Sequence, residues 1–181
     1  MNFKFTNRGE ISDAFISLGI SDFRSACKYI SKLPYDQKTN ISCVLNELRG
    51  TCSTKHATLR KLALEQKQDE VKLILGIFKM DSIYAPKISH TLVKHQLDYI
   101  PEAHNYLRFG EEYIDVTLPD SNYSDFSDKL IHEIEIEHDQ IAAQKIQLHQ
   151  EYLNNWIIDK PHLTLNTIWN IREQCIHDLQ S

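Results

Sequence analysis

The sequence contains few residues that interrupt regular structure, since glycine and proline each occur only five times in 181 residues. It has no internal repeat, no low-complexity linker, no polybasic run and no apolar run long enough to span a membrane. A formal net charge of −5 argues against a nucleic-acid-binding protein, which would usually be basic. We therefore expect a single globular domain over residues 1–181, with neither a nucleic-acid partner nor a membrane segment.

Cysteine is scarce and irregularly placed, at positions 27, 43, 52 and 175. There is no C-x-x-C pair and no even spacing, which excludes a disulfide framework. Four reduced thiols in a chain of this length are typical of the cytoplasm, and we predict neither a metal nor a cofactor. Cys27, Cys43 and Cys175 fall on apolar stripes, as expected for inert core thiols.

Cys52 is different because it follows a glycine and begins a helical pattern. From Thr51 or Cys52 onward, apolar residues recur at Leu59, Leu62 and Ala63, which is the spacing of one helical face. Gly50 just before the helix is expected to let the backbone turn sharply. The N–H groups and positive dipole at a helix N-terminus favour a thiolate, so the position suits a nucleophilic cysteine.

The other segments predict a mixture of helices and strands, hence an α+β fold. Before Cys52 we expect short helices, two of them capped by Ser12-Asp13 and Ser21-Asp22, and a polar loop over 35–40. The later predictions are a strand over 71–78, a loop with one short helix over 81–100, hairpin strands over 103–109 and 112–118, an edge strand over 129–137, and helices over 141–158 and 165–179. Trp156 and Trp169 are expected to be largely buried between the last two helices.

Three short motifs follow each other in an order that has a known counterpart. Gly50-Thr51-Cys52 opens a helix, His104-Asn105-Tyr106 lies on the first hairpin strand, and Asp115-Val116-Thr117 lies on the second. Over roughly residues 41–120 this arrangement resembles the transglutaminase-like superfamily, in particular its compact bacterial branch. The chain departs from that pattern where His-Ala-Trp is His104-Asn105-Tyr106 and Asp-Pro-Thr is Asp115-Val116-Thr117.

The resemblance implies a papain-like core in which the nucleophile helix packs on an antiparallel sheet. Additional helices would precede this core, and residues 125–181 would form a mainly helical C-terminal cap. It also implies a thiol-dependent hydrolase or acyltransferase acting on an amide, peptide or small acyl substrate through a Cys52 thioester. In that chemistry His104 is the base and Asp115 fixes the orientation of its imidazole.

The hairpin connection decides whether His104 and Asp115 can meet. Side chains alternate between the two faces of a strand, so a two- or four-residue connection near Gly110 places both on one side. A three-residue connection without a bulge would separate them. A connection through Phe109-Gly110 would place the two residues directly opposite each other.

Three further residues are candidates for supporting roles at this site. His56 lies one helical turn after Cys52 and is a candidate supporting residue or alternative base, although packing or a structural hydrogen bond is favoured. Asn46 precedes Cys52 by six residues, the offset at which papain-like enzymes carry an oxyanion glutamine, and Tyr106 is two residues after His104. The backbone N–H of Cys52 is the preferred oxyanion donor. On this basis, His56→Ala should leave the pH profile of Cys52 alkylation nearly unchanged.

Two alternatives to catalysis stay open at the level of sequence. The chain could be a non-catalytic transglutaminase-like domain that binds a peptide or protein partner in the cleft. It could also hold zinc through Cys52, His56, His104 and Asp115, a ligand set that zinc tolerates. Substrate identity, hydrolysis against transfer to an amine, and oligomeric state are not determined by these patterns.

Overall fold

The structure, a computed structural model, describes residues 2–36 and 40–180, so positions 37–39 of the predicted polar loop lie outside it. The elements of the described part are α1 Glu10–Ser17, α2 Phe23–Ser31, α3 Ile41–Asn46, α4 Cys52–Glu65, β1 Lys72–Asp81, α5 Ser89–Lys94, β2 Tyr99–Phe109, β3 Glu112–Ile114, β4 Leu130–Ile136, α6 Ala143–Trp156 and α7 Leu165–Gln180. The strands form one antiparallel sheet in the order β3-β2-β1-β4. The α+β class is therefore confirmed, as is the edge position of β4.

By its internal contacts the chain divides into two compact units. The first comprises Met1–Leu75, His104–Ser124 and Ile134–Ile141, and the second comprises Gly76–Ala103, Asp125–Glu133 and Ala142–Ser181. The single-domain organisation stays a prediction. Across residues 2–36 and 40–180, no helix combines the length and apolar content that crossing a membrane requires.

Helix α4 is the centre of the first unit. Helices α1, α2 and α3 pack against it, and most of its residues are buried on every side. Several of the buried residues are polar or charged, and their side chains form hydrogen bonds because an unsatisfied buried polar group is costly. Arg60, for example, donates to the carbonyl of Val71 at 2.7 Å, which ties α4 to the start of β1.

Helix α1 begins earlier than the sequence predicts, because its cap comes from a distant residue. We expected Ser12-Asp13 to cap it, but the helix begins at Glu10. The carboxylate of Glu65, at the end of α4, accepts the backbone N–H groups of Ile11 at 2.8 Å and Ser12 at 2.7 Å. A tertiary contact thus satisfies the orphan donors that a local side chain normally satisfies.

The β2–β3 hairpin is shorter on its second strand than predicted. Phe109 pairs with Glu112, so the connection has two residues, Gly110 and Glu111, and Gly110 takes the left-handed φ of +55°. Strand β3 ends at Ile114 instead of residue 118. Beyond this end, side chains compete for backbone N–H groups, because the amides of Val116 and Thr117 donate to the side chains of His56 and Asp115.

The second unit contains α5, α6 and α7 with the neighbouring strand segments. Trp169 contacts His149 of α6, with ring centroids 5.4 Å apart, while the indole of Trp156 donates to the hydroxyl of Tyr99 at 3.0 Å. Both tryptophans are half-buried, less than predicted, and only Trp169 lies between the two last helices as expected. An indole carries a polar N–H group, which favours a position at the margin of the core over full burial.

Glu102 forms a buried ion pair with Arg172. The guanidinium donates to both carboxylate oxygens, at 2.8 and 2.5 Å, and Glu102 is only 8% exposed. Burial by itself would raise the pKa of Glu102, but the charge and hydrogen bonds of Arg172 lower it. The carboxylate is therefore ionised and holds α7 to β2.

Replacing Glu102 with alanine should destabilise the protein by about 3 kcal/mol, because it leaves the Arg172 guanidinium buried without its main partner. Urea unfolding of both forms at pH 7 measures this change. Glu173→Ala is the matched control, since Glu173 also contacts Arg172 but its side chain is 53% exposed; its cost should stay below about 1 kcal/mol. Equal losses in the two variants would contradict the prediction.

Candidate active site

The first residues of α4 place Cys52 in a defined position. Thr51 is the N-cap and exchanges hydrogen bonds with Thr54, whose backbone N–H donates to the Thr51 hydroxyl at 3.2 Å and whose hydroxyl accepts from the Thr51 N–H at 2.8 Å. The helix therefore begins at Cys52, as predicted. The thiol is 8% exposed and lies where the helix dipole favours negative charge.

Gly50 is required for close packing, whereas the sequence suggested a flexible turn. Its φ is not in the left-handed region that favours glycine. A Cβ at this position would lie 2.8 Å from the hydroxyl of Thr54 and 3.1 Å from Cγ of Lys55. Any larger residue would push the start of α4 away from the segment that precedes it.

His104 and Asp115 meet on one side of the hairpin. The Nε2 atom of His104 lies 2.8 Å from Oδ2 of Asp115, a hydrogen bond in which the imidazole donates. The two-residue connection keeps both side chains on the predicted side. Because the connection is Gly110-Glu111, however, Asp115 is in line with Tyr106 and lies diagonally to His104 instead of directly opposite.

His104 also contacts the thiol of Cys52 through a side-chain hydrogen bond. Because Nε2 is engaged by Asp115, Nδ1 is the ring nitrogen left available to the thiol. Burial of the imidazole by itself would lower its pKa, but the negative charge of Cys52 and the hydrogen bonds to Asp115 and Cys52 raise the pKa of His104 to about 10. The arrangement therefore favours an imidazolium beside a thiolate at neutral pH.

Asp115 is held as a carboxylate. Its side chain is 4% exposed, and burial alone would raise its pKa. The hydrogen bond and charge of His104 outweigh that effect, so the pKa of Asp115 is well below its ordinary value. Its second oxygen, Oδ1, accepts the backbone N–H of Thr117 at 2.8 Å, which leaves Oδ2 directed at the imidazole.

His56 is fully buried and bridges helix α4 to the segment that carries Asp115. Its Nε2 accepts the backbone N–H of Val116 at 2.8 Å, so Nε2 is unprotonated. The proton is then on Nδ1, which donates to the carbonyl of Cys52 at 2.6 Å. Burial lowers the pKa of His56 to about 4, which keeps this ring neutral. The structural hydrogen bonding favoured from sequence is confirmed.

The buried state of His56 makes stability depend on pH in a predictable direction. Because its folded pKa of about 4 is below its unfolded value, the unfolded chain binds more protons between pH 6.5 and 4. The His56 contribution is complete above pH 6.5 and falls by about 3 kcal/mol as pH drops through that window. Urea unfolding at pH 7 and 4.5 should show a smaller acid loss in His56→Gln than in wild type; an identical loss in both would refute it.

Lys55 is a second buried polar group at this site, and sequence reasoning missed it. Its side chain is fully buried, and its ammonium donates to the carbonyls of Leu33 at 2.6 Å and Thr117 at 2.7 Å. Burial lowers the pKa of Lys55 to about 8, although the charges of Asp115 and Cys52 act in the opposite direction. The sequence signal for this role was the position of Lys55, one helical turn after Thr51 and between Thr54 and His56 on α4.

Asn105 is another residue whose role the sequence did not reveal. It is fully buried, accepts from the hydroxyl of Ser53 at 3.0 Å and donates to the carbonyl of Ile74 at 3.0 Å. It therefore joins the first turn of α4 to strand β1 across β2. An alanine at this place could make neither hydrogen bond.

The remaining candidates occupy different surroundings. Tyr106 is fully buried, and its ring lies 6.3 Å from that of His104 and 5.4 Å from that of Tyr123. Asn46 is exposed at the C-terminal end of α3, whereas the thiol of Cys52 is buried. The contacts of Tyr106 place it beside the histidine; oxyanion roles for Asn46 and Tyr106 stay predictions.

The geometry argues against the zinc alternative. Both ring nitrogens of His56 are committed, one to the Cys52 carbonyl and one to the Val116 N–H. Within the described residues 2–36 and 40–180, no three or more His, Cys, Asp or Glu side chains are grouped so as to hold a metal ion.

Comparison with protein-family models, with curated proteins and with solved structures gives no match for this chain.

Proposed function

We propose that the protein is a thiol-dependent hydrolase or acyltransferase acting on an amide, peptide or small acyl substrate. The observation that carries this proposal is the alignment of Cys52, His104 and Asp115, in which one imidazole is hydrogen-bonded to the thiol and, at 2.8 Å, to a buried carboxylate. These are the contacts that nucleophilic catalysis by cysteine requires. A papain- or transglutaminase-like core belongs to the same proposal. So does a reducing, cytoplasmic location, which the four free cysteines support.

The first half-reaction forms a thioester. The Cys52 thiolate attacks the substrate carbonyl carbon, and the carbonyl π electrons move to oxygen, where the Cys52 N–H at the start of α4 can donate to the oxyanion. When the tetrahedral intermediate collapses, the bond to the leaving group breaks, and the His104 imidazolium gives that group its proton. His104 is then neutral, and its Nε2 stays bonded to Asp115.

The second half-reaction releases the acyl group. Neutral His104 removes a proton from water or from an amine, which attacks the thioester carbonyl. The carbon–sulfur bond breaks and the electron pair returns to sulfur, which restores the thiolate beside the imidazolium. Water gives a carboxylic acid and an amine gives a new amide, so one site supports both the hydrolase and the acyltransferase.

The decisive test is covalent capture of the acyl group on Cys52. The purified protein is exposed to a panel of acyl esters, peptidyl esters and peptidyl vinyl sulfones at pH 7, and intact mass and peptide mapping locate any adduct. We expect an adduct on the Gly50–Lys55 peptide in wild type. Cys43→Ala is the matched control, since Cys43 is equally buried at 5% exposure in the same unit, and it should keep the adduct. No adduct with any probe would overturn the proposal in favour of the partner-binding alternative.

A further inference from the structure

The segment that carries Asp115 is not held by the sheet. Strand β3 ends at Ile114, and residues 115–117 have no regular structure. An orienting carboxylate on irregular backbone needs other restraints, because catalytic groups must be held to a fraction of an ångström. Those restraints are supplied by two consecutive residues of the nucleophile helix.

Lys55 and His56 form hydrogen bonds with the backbone of this segment. The Lys55 ammonium donates to the carbonyl of Thr117 at 2.7 Å, and His56 Nε2 accepts the N–H of Val116 at 2.8 Å. His56 Nε2 also lies 3.5 Å from Oδ1 of Asp115. Each of the two side chains is itself fixed by a second hydrogen bond. Lys55 donates to the carbonyl of Leu33, and His56 donates to the carbonyl of Cys52.

We propose that Lys55 and His56 form a clamp that positions Asp115 for catalysis, so that the nucleophile helix itself sets the placement of the third member of the triad. The inference rests on the proposed function. Neither residue touches the reacting atoms; both act through the backbone of residues 115–117. The expectation from sequence that His56→Ala leaves the pH profile of Cys52 alkylation nearly unchanged is thereby revised.

The residue types suit this task. The bridge at position 56 must donate at one end, to Cys52, and accept at the other, from Val116; a neutral histidine does both across a rigid ring. The bridge at position 55 must reach two carbonyls on separate segments, which an ammonium with three donors on a long stem can do. The ammonium also adds a positive charge close to the thiolate and the carboxylate.

Two near-isosteric changes separate the two ends of the His56 bridge. His56→Asn keeps a donor near the Cys52 carbonyl but has no acceptor that reaches Val116. His56→Gln keeps an acceptor near the Val116 N–H but loses the donor at the Nδ1 position. Lys55→Met retains the length of the side chain and removes both of its hydrogen bonds.

The matched controls are buried residues of the same chemistry elsewhere in the chain. Arg60 lies on the same helix as Lys55, more than one turn further along, and its buried guanidinium donates to the backbone carbonyls of Asp69 and Val71. Arg60→Met removes this cation. His149→Asn changes a histidine that is 2% exposed and bonded to the carbonyl of Pro101 in the second unit. Both variants should change the stability of the protein and leave the alkylation profile of Cys52 unchanged.

The experiment measures the alkylation rate of Cys52 by iodoacetamide from pH 4 to 9, together with hydrogen exchange of the Val116 amide, in proteins whose circular dichroism shows a folded state. A displaced Asp115 stabilises the imidazolium less, so the acidic midpoint of the alkylation profile should move up by about 0.5 pH unit or more in His56→Asn and Lys55→Met. Val116 exchange should become about tenfold faster in His56→Asn. In His56→Gln, the alkylation midpoint and the Val116 exchange rate should stay closer to their wild-type values.

The proposal is overturned if His56→Asn and Lys55→Met fold but leave the midpoint and the Val116 exchange at wild-type values, or if the two controls shift the midpoint equally. Failure of the proposed function looks different. In that case wild-type Cys52 alkylates like an ordinary thiol at every pH, while Val116 exchange still reports whether the clamp exists.

Discussion

Replacing Cys52 with alanine is expected to lower turnover of the best substrate from the acyl panel by at least about 10,000-fold, because the proposed covalent intermediate forms on its sulfur. Cys52→Ser should be almost as inactive, since a hydroxyl keeps the size of the thiol but is not ionised near neutral pH. The pair separates loss of the nucleophile from loss of packing. Steady-state kinetics of purified wild type and variants measures the effect.

Two results would contradict this expectation. Residual turnover of Cys52→Ala within about tenfold of wild type would show that the thiol is not the nucleophile. A comparable loss in Cys43→Ala, the matched buried cysteine, would show that the assay reports stability instead of chemistry. Thermal melts of all variants accompany the kinetics, so that a folding defect is recognised as such.

Replacing His104 with alanine should change the shape of the pH dependence of Cys52 alkylation. With the imidazolium present, the wild-type rate should be nearly constant from pH 5 to 8, because His104, with a pKa of about 10, stays charged beside the thiolate. Without it, the rate should rise about tenfold per pH unit up to about pH 8.5, the ordinary pKa of a thiol.

The size of the effect follows from two opposing factors. At pH 5 an unassisted thiol is about one part in 3,000 thiolate. The more basic thiolate of the variant is also the stronger nucleophile, which offsets part of that deficit. His104→Ala should therefore be slower than wild type at pH 5 by about tenfold or more, and the difference should shrink as the pH rises.

Iodoacetamide labelling followed by quantification of the Gly50–Lys55 peptide measures these rates without interference from the other cysteines. Asp115→Asn is the graded comparison, because Asp115 orients the imidazole and does not take the proton. Its profile should lie between those of wild type and His104→Ala. A flat profile in His104→Ala would mean that another group, such as Lys55, sustains the thiolate.

Local sequence signals determined the order of elements and the position of Cys52. The apolar spacing after Cys52 predicted α4, and the Thr51 cap places the thiol at its first turn. The side-chain alternation of the hairpin predicted that His104 and Asp115 share a face if the connection has two or four residues, and the connection has two. These properties depend on neighbours within a few residues, so the chain alone specifies them.

Only the tertiary structure decided what surrounds those residues. Glu65 caps α1 from 53 residues or more away along the chain, and Lys55 and His56 bind a segment about 60 residues distant. Strand β3 ends at Ile114, and beyond it the long-range contact with His56 takes the N–H of Val116, while the N–H of Thr117 donates to the nearby Asp115. Hydrogen bonds of this kind satisfy buried polar groups, and their partners are fixed by which segments the fold brings together, not by periodicity or propensity along the sequence.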